Sequence, residues 1–192
     1  MSDASNIDYR ALMTKALLEI KDLKAQLQAA RQRDGEAIAI VGAACRFPGG
    51  ANDLAGYWDL LVNGRDGISD VPAERWSVDE YFDPDPDVPG KVGSRRGGFL
   101  DGPVSHFDPS FFSLSPREAE SMDPQQRLLL ELCWEALEHA HYLPERLFNT
   151  NAGVFIGASS MDNATRLIGE APFTDIDGYY GTGCALAPLA GR

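Results

Sequence analysis

A run of apolar residues with helical spacing lies in the first part of the chain. Residues 7–33 contain neither Pro nor Gly and are rich in Ala, Leu, Lys, Gln and Arg, which favour helices. Apolar residues recur there at alternating spacings of four and three: Tyr9, Met13, Ala16, Ile20, Leu23, Leu27 and Ala30. Because this is the heptad spacing of a coiled coil, the pattern predicts one helix with an apolar seam.

Two leucines beside the seam make the apolar surface wider. Leu12 and Leu17 flank it, and a wider apolar stripe can accept a helix from another chain. An alternative is that the helix folds back on its own domain. Asn6 or Asp8 is the predicted N-cap, and Asp34-Gly35 is the predicted end.

Two successive helix starts precede a second periodic run. Ser115 and Asp123 are each followed by Pro, with Glu118 or Gln126 three residues after the cap, which is the capping-box arrangement. The helix that follows is predicted to bury one broad face: Leu129, Leu132, Cys133, Ala136, Leu137 and Ala140. The loop before it offers large apolar anchors: Phe99, Phe107, Phe111 and Phe112.

Short apolar runs bounded by turn residues predict buried strands at 37–42 and 152–157. A further helix is expected to begin at Asn52 or Asp53 and to end at Asn63-Gly64. Its inward side chains are predicted to be Leu54, Trp58, Leu61 and Val62.

Charge divides the chain unevenly. The 192 residues carry a net charge of −12, although residues 1–35 contain six basic and five acidic side chains. We therefore expect a boundary between a helix at 1–35 and an acidic domain at 36–192. The acidic balance argues against nucleic acid as a partner. No apolar run approaches the length of a membrane helix, and no secretory signal is visible.

The cysteines supply the candidate chemistry. Three thiols at 45, 133 and 184 do not suggest a disulfide framework and suit a reducing cytoplasm. Thr182 could cap a short helix with Cys184 in its first turn, where the helix dipole lowers a thiol pKa. Because no general base is identifiable, packing beside two glycines is favoured for Cys184. Cys45, next to Arg46, is likewise expected to be structural rather than activated.

Several binding motifs can be rejected. The strand before Gly42 lacks the glycines of a dinucleotide-binding turn, since residues 44 and 47 are Ala and Phe. The acidic run from Asp83 lacks the Gly and Glu of a calcium loop. His139 and His141 lie on different helix faces, and no metal site is predicted.

Long, ordered motifs in the chain resemble a known family. The segments IAIVGAACRFPGG, PAERW, FDPSFFSLSPREAESMDPQQR and AGVFIGAS are similar to the N-terminal part of a beta-ketoacyl synthase domain of modular type I polyketide synthases. The resemblance runs from about residue 36 to residue 192. The preceding helix resembles the N-terminal docking helix of such synthases.

The resemblance implies a fold and its partners. The fold would be of the α/β class, an incomplete thiolase-like αβαβα architecture in which the strands at 37–42 and 152–157 lack partners. The expected partners are an acyl carrier protein, the C-terminal tail of an upstream synthase subunit and a second copy. Phosphopantetheine would be carried by the carrier protein, with no cofactor bound directly. The docking interface would comprise Tyr9, Met13, Ala16, Leu17, Ile20, Leu23 and Leu27.

The resemblance also implies an activity, the decarboxylative Claisen condensation of an acyl thioester with a malonyl-type extender. In the family the nucleophilic Cys follows in a later motif, so it is expected beyond Arg192. No catalytic residue is expected within this chain, and Cys184 is the weaker alternative. The chain alone is expected to be inactive. The competing hypothesis is a non-catalytic interaction protein that uses the N-terminal helix for dimerisation or docking.

Overall fold

The computed structural model describes residues 9–33, 37–85, 87–170 and 177–191, and it divides into two compact units, Met1–Ile40 and Val41–Arg192. The first unit contains helix α1, Tyr9–Arg33, so the predicted long helix is confirmed. The predicted caps at Asn6 and Asp8 and the Asp34-Gly35 end lie outside the described residues, as does the expected boundary at 35/36.

The second unit contains several short helices and one longer helix. Its α-helices are α2 Leu54–Val62, α3 Val78–Tyr81, α4 Pro116–Ser121, α5 Pro124–His139, α6 Asp162–Glu170 and α7 Gly178–Cys184. Short 3₁₀ turns occupy Pro144–Leu147 and Ala187–Ala190. Strands β1, Ser69–Asp70, and β2, Arg96–Gly97, pair antiparallel, with Ser69 opposite Gly97.

The predicted helix starts are confirmed. The Ser115 side chain accepts a bond from the Glu118 N–H at 3.1 Å, and Asp123 Oδ1 accepts one from the Gln125 N–H at 2.8 Å. At α2, Asp53 Oδ1 accepts the Gly56 N–H at 2.7 Å. These oxygens satisfy N–H groups that have no partner inside the helix.

Aromatic packing joins the loop before α4 to helix α5, as the sequence predicts. The Phe107 and Phe112 rings stack with centroids 5.3 Å apart, and Phe111 meets Phe112 edge-on at 4.9 Å. Phe111 also meets Trp134 of α5 edge-on at 4.8 Å. Phe99 packs instead against Trp76, at 5.6 Å. The predicted apolar face of α5 is half-buried rather than buried, and Cys133 on it is exposed.

The start of the second unit is attached to the C-terminal half of α5. A Cβ on Gly42 would lie 2.2 Å from the Ala136 carbonyl oxygen, so only Gly fits at this approach. The Ala43 N–H donates to His139 Nδ1 at 3.1 Å. Arg46 Nη1 donates to Glu135 Oε2 at 2.7 Å, and Nη2 donates to Oε1 of the same carboxylate. This bidentate pair is the strongest type of guanidinium–carboxylate contact.

The two predicted strands are not formed. Residues 37–42 and 152–157 have no strand assignment, and in the described ranges the one ladder is β1–β2. Ile38 is 93% exposed and Phe155 is 94% exposed, whereas both were expected to be buried. A strand requires a neighbour to satisfy its N–H and C=O groups, and neither segment has one here.

The predicted inward face of α2 is also wrong. Trp58 is 67% exposed, and the other three expected core side chains are exposed as well. The helix packs instead through the adjacent face, where the centroids of the Tyr57 and Phe47 rings lie 4.5 Å apart. Leu60 lies against Gly49, whose positive φ of 84° permits the turn beneath it. Leucine spacing alone could not choose between these two neighbouring apolar faces.

Helix α7 packs against the junction of α4 and α5 at a point where no side chain fits. A Cβ on Gly183 would lie 2.2 Å from Ser121 O and 3.1 Å from the Met122 N. Real Cβ atoms do not approach backbone so closely, because repulsion rises steeply below contact distance. Glycine at 183 is therefore required by packing.

We predict that Gly183→Ala destabilises the chain by about 3 kcal/mol or more, since backbone on both sides would have to move. The matched control is Gly181→Ala in the same helix, where a Cβ meets no atom within 4 Å. That change should be neutral or should stabilise by about 0.5–1 kcal/mol. Urea unfolding of the two variants gives the comparison, and equal midpoints would contradict the packing argument.

Candidate functional site

One buried amide holds the end of α7. Gln126 Nε2 lies 3.1 Å from Thr182 O, 2.8 Å from Gly183 O and 3.2 Å from Ala185 O. The Asp123 N–H donates to Gly183 O at 2.8 Å. An amide NH₂ has only two protons, so at least one of them is shared between carbonyls. We call this set of contacts the Gln126 clamp.

The clamp corrects a prediction. Gln126 was expected to bond back to its own helix cap, but its side chain is 2% exposed and points to α7. Its Oε1 has no hydrogen-bond partner among the described residues. Sequence reasoning missed this role because the capping-box pattern and the clamp require the same residue type at the same position.

A surface ion pair links the other end of α7 to α4. Asp177 caps α7 by accepting the Tyr179 N–H at 2.8 Å, and Arg117 Nε donates to Asp177 Oδ2 at 2.7 Å. The Arg117 hydrogen bond, followed by that of the Tyr179 backbone, lowers the pKa of the Asp177 carboxyl. The same contact raises the pKa of Arg117. The pair thus joins the N-terminus of α7 to α4.

Cys184 lies at the opposite end of its helix from the predicted position. It is the last residue of α7, whose N-cap is Asp177 and not Thr182. The thiol is 3% exposed, and its Sγ lies 3.8 Å from Ser121 O. Burial, and then the charge of Asp123, raise the pKa of Cys184. A helix C-terminus disfavours a thiolate, so these observations favour a packing role.

An apolar cleft of about 1040 Å³ opens beside α7. Phe112, Leu114, Leu130, Tyr179 and Pro188 line it, together with the Arg117–Asp177 pair. No Cys or His is among the lining residues that the structure describes. Apart from that pair, its polar side chains are Glu118 and Thr182, so the cleft offers mainly apolar surface.

The remaining candidate residues have structural partners. Cys45 is buried, and Arg46 Nη1 donates to the carbonyls of Cys45 at 3.1 Å and Asn52 at 2.8 Å. His139 accepts a backbone N–H, as described above. All three cysteines are free. The structure does not bring any of the histidines and cysteines together as a nucleophile–base pair within its described ranges.

Helix α1 presents its apolar seam on the surface. The exposed fractions are 69% for Met13, 63% for Leu17, 49% for Ile20, 59% for Leu23 and 53% for Leu27. Ala16 is exposed too, whereas the Tyr9 side chain lies outside the described residues. Leu12 and Leu18 are also exposed, at 60% and 63%, so the stripe is wider than a strict two-stranded seam.

Metal-binding and membrane-spanning features are both absent from the part of the chain that the structure describes. Within those ranges, no three His, Cys, Asp or Glu side chains gather closely enough to hold a metal ion. Nor does any helix there combine the length and apolar character that a membrane crossing requires.

We predict that the three thiols react in a fixed order. Cys133 is exposed and should react first with a limiting thiol reagent, whereas Cys45 and Cys184 should react only when the protein opens. Since the pKa of Cys184 is raised, its thiolate fraction at pH 8 should fall below that of an ordinary thiol. Peptide mapping by mass spectrometry checks this order, and selective early labelling of Cys184 would overturn it.

Comparison with known proteins identifies the family. Residues 35–192 match the family model "Beta-ketoacyl synthase, N-terminal domain". The chain is 46% identical over 190 residues to a phenolphthiocerol/phthiocerol polyketide synthase of Mycobacterium tuberculosis, covering 98% of this chain and 9% of that protein. It is 51% identical over 158 residues to polyketide synthase GfsB of Streptomyces halstedii, covering 82% of this chain and 3% of that protein.

A solved structure agrees with these relatives. The ketosynthase from module 6 of the bacillaene synthase of Bacillus subtilis 168 matches with a TM-score of 0.61 and 38% identity. The match covers 78% of this chain and 24% of that one. Ketosynthase domains have the thiolase-like fold, so the expected fold class is confirmed. The chain spans a small part of the length of each of these relatives, and it belongs to the beta-ketoacyl synthase N-terminal domain family, with polyketide synthases as its relatives.

Proposed function

We propose that this chain is the first part of a ketosynthase that extends polyketides by decarboxylative condensation. The single observation that supports this most strongly is the family match, which extends over residues 35–192. An acyl carrier protein would deliver the acyl and malonyl-type groups on its phosphopantetheine arm. The proposal includes assembly as a homodimer and the cytoplasmic location expected from three free thiols.

In this proposal the described residues act as a scaffold. The nucleophilic Cys would come from sequence beyond Arg192, because Cys184 is buried at a helix C-terminus with a raised pKa. The Gln126 clamp and the Arg117–Asp177 pair would fix the course of residues 177–185. Fixing that course would set the direction in which the chain enters the catalytic part of the domain.

We expect a chimaera to be active. In it, residues 41–192 replace the matched segment of the bacillaene module 6 ketosynthase, whose own sequence supplies the rest of the domain. If the segment is a ketosynthase scaffold, the chimaera should accept an acyl group from a thioester. The rate of acylation should lie within about tenfold of the parent's rate, which corresponds to about 1.4 kcal/mol in activation free energy. Intact-protein mass spectrometry measures the loading.

A matched chimaera with Gly183→Ala serves as the control, since it should lose loading together with the packing of α7. A chimaera that folds as the parent does, shown by its circular dichroism and melting curve, but cannot be acylated would contradict the proposed function.

The exposed seam of α1 favours a second role, docking to another synthase polypeptide. Five large apolar side chains of the predicted docking interface are between 49% and 69% exposed, which is costly in water unless another helix covers them. We propose that the C-terminal tail of an upstream synthase subunit, or the α1 helix of a second copy, covers this seam. A non-catalytic interaction protein would use the same surface.

We predict that a peptide of residues 1–35 self-associates or binds an upstream C-terminal tail, as measured by sedimentation. Ile20→Glu should weaken the association at least tenfold, because it places a charge in the seam. Lys21→Glu, which lies outside the seam, is the control and should change it little. A monomeric peptide that binds no tail would refute the docking role.

A further inference from the structure

A histidine fastens the start of the second unit to helix α5. Ala43, the third residue of that unit, donates its N–H to His139 Nδ1 at 3.1 Å. A ring nitrogen accepts a hydrogen bond only while it carries no proton, so this contact requires the neutral imidazole with its proton on Nε2. Because His139 is exposed, it can exchange protons with solvent. The contact therefore depends on the charge state of one side chain.

Protonation of His139 removes this contact. In an imidazolium both ring nitrogens carry hydrogen, so Nδ1–H would face the Ala43 N–H, and two donors cannot bond to each other. His139 is also the last residue of α5, and a helix C-terminus stabilises a cation. The charged ring is thus favoured beside the last carbonyls of the helix but not beside the Ala43 N–H. Imidazole changes its charge between about pH 8 and pH 5.

The neighbouring contacts of this segment are of other kinds. Gly42 fits against the Ala136 carbonyl oxygen by its shape, and Arg46 donates to both carboxylate oxygens of Glu135. A guanidinium keeps its charge in mild acid, and carboxylates ordinarily titrate at about pH 4. Residues 41–43 can therefore loosen from α5 in mild acid while Arg46 still holds the segment.

The charged groups around His139 lie on α5 and on the segment packed against it. One turn earlier on α5, the Glu135 carboxylate is already engaged by Arg46. The adjacent Glu138 accepts a bond from Trp134 Nε1 at 2.8 Å, which directs its carboxylate back along the helix. Neither carboxylate replaces the contact between His139 and the start of the unit.

Two further groups titrate close to this place in the chain. His141 lies two residues after His139, beyond the end of α5, and it is exposed. Burial raises the pKa of the Glu131 carboxyl, which interacts with the charge of Arg46 on the segment. Variants of His141 and of Glu131 therefore have to be compared with variants of His139.

We propose that His139 is a pH-sensitive latch, which holds residues 41–43 on α5 when it is neutral and releases them when it is protonated. Since the neutral ring is the acceptor, the stabilisation is present at neutral and alkaline pH and is lost as the pH falls. Release frees the start of the second unit, next to its boundary with the unit that contains α1. The latch does not require the proposed condensation activity.

Hydrogen exchange of the Ala43 amide in the whole chain tests the latch. NMR gives the protection factor, corrected for the intrinsic exchange rate, at about pH 7.5 and about pH 5, on the two sides of imidazole titration. The Asp123 N–H, which donates to Gly183 O, is the reference for an intact fold. We expect the protection of Ala43 to fall at least threefold relative to that of Asp123 at the lower pH. Equal relative protection at both pH values would overturn the proposal.

Variants assign the effect to one side chain. His139→Gln offers an acceptor oxygen that does not titrate, so the protection of Ala43 should no longer depend on pH. Low protection of Ala43 at both pH values in that variant would also assign the acid-induced loss to the imidazole. His141→Gln and Glu131→Gln keep the latch and should lose protection in acid as the unmodified chain does. An acid-induced loss that persists in His139→Gln, or that disappears in either control, would refute the latch.

Discussion

The Gln126 clamp is the interaction on which the arrangement of helices in the second unit depends. A helix end leaves backbone groups without partners, donors at the N-terminus and acceptors at the C-terminus. Here the first turn of α5 meets the last turn of α7, so each end supplies what the other lacks. Asp123 N–H and Gln126 Nε2 both donate to Gly183 O, at 2.8 Å each. This contact requires Gly183, because a Cβ would strike Ser121 O.

The same constraint predicts a low reactivity for the thiol at 184. By drawing the last turn of α7 onto the α4–α5 junction, the clamp buries Cys184 at a helix C-terminus, where both burial and the helix dipole oppose a thiolate. Apolar side chains of the second unit that lie outside the clamp are exposed, as are Val41, Trp58 of α2 and Phe155. The second unit is thus well ordered by polar contacts at its helix ends, while much apolar surface is left for other partners to cover.

The sequence predicted the features that depend on local chemistry. The caps at Ser115 and Asp123, the long helix α1 and the aromatic contacts around Phe111 all follow from residue type and spacing. The sequence-based predictions were wrong where the structure of a segment depends on residues that are distant in the chain. The apolar run at 37–42 reads as a strand, yet a strand exists only beside another strand. Gln126 suits a capping box, and only the approach of α7 turns it to three carbonyls.

The central claim is that one amide keeps the end of α7 in place, and thiol reactivity in Gln126→Glu tests it most directly. The change is nearly isosteric but sets a carboxylate against three carbonyl oxygens. We expect Cys184 to become reactive under native conditions while Cys45, held near Arg46 and away from the clamp, stays protected. If Cys184 stays as protected as Cys45 in that variant, the clamp does not hold α7 and the account is wrong.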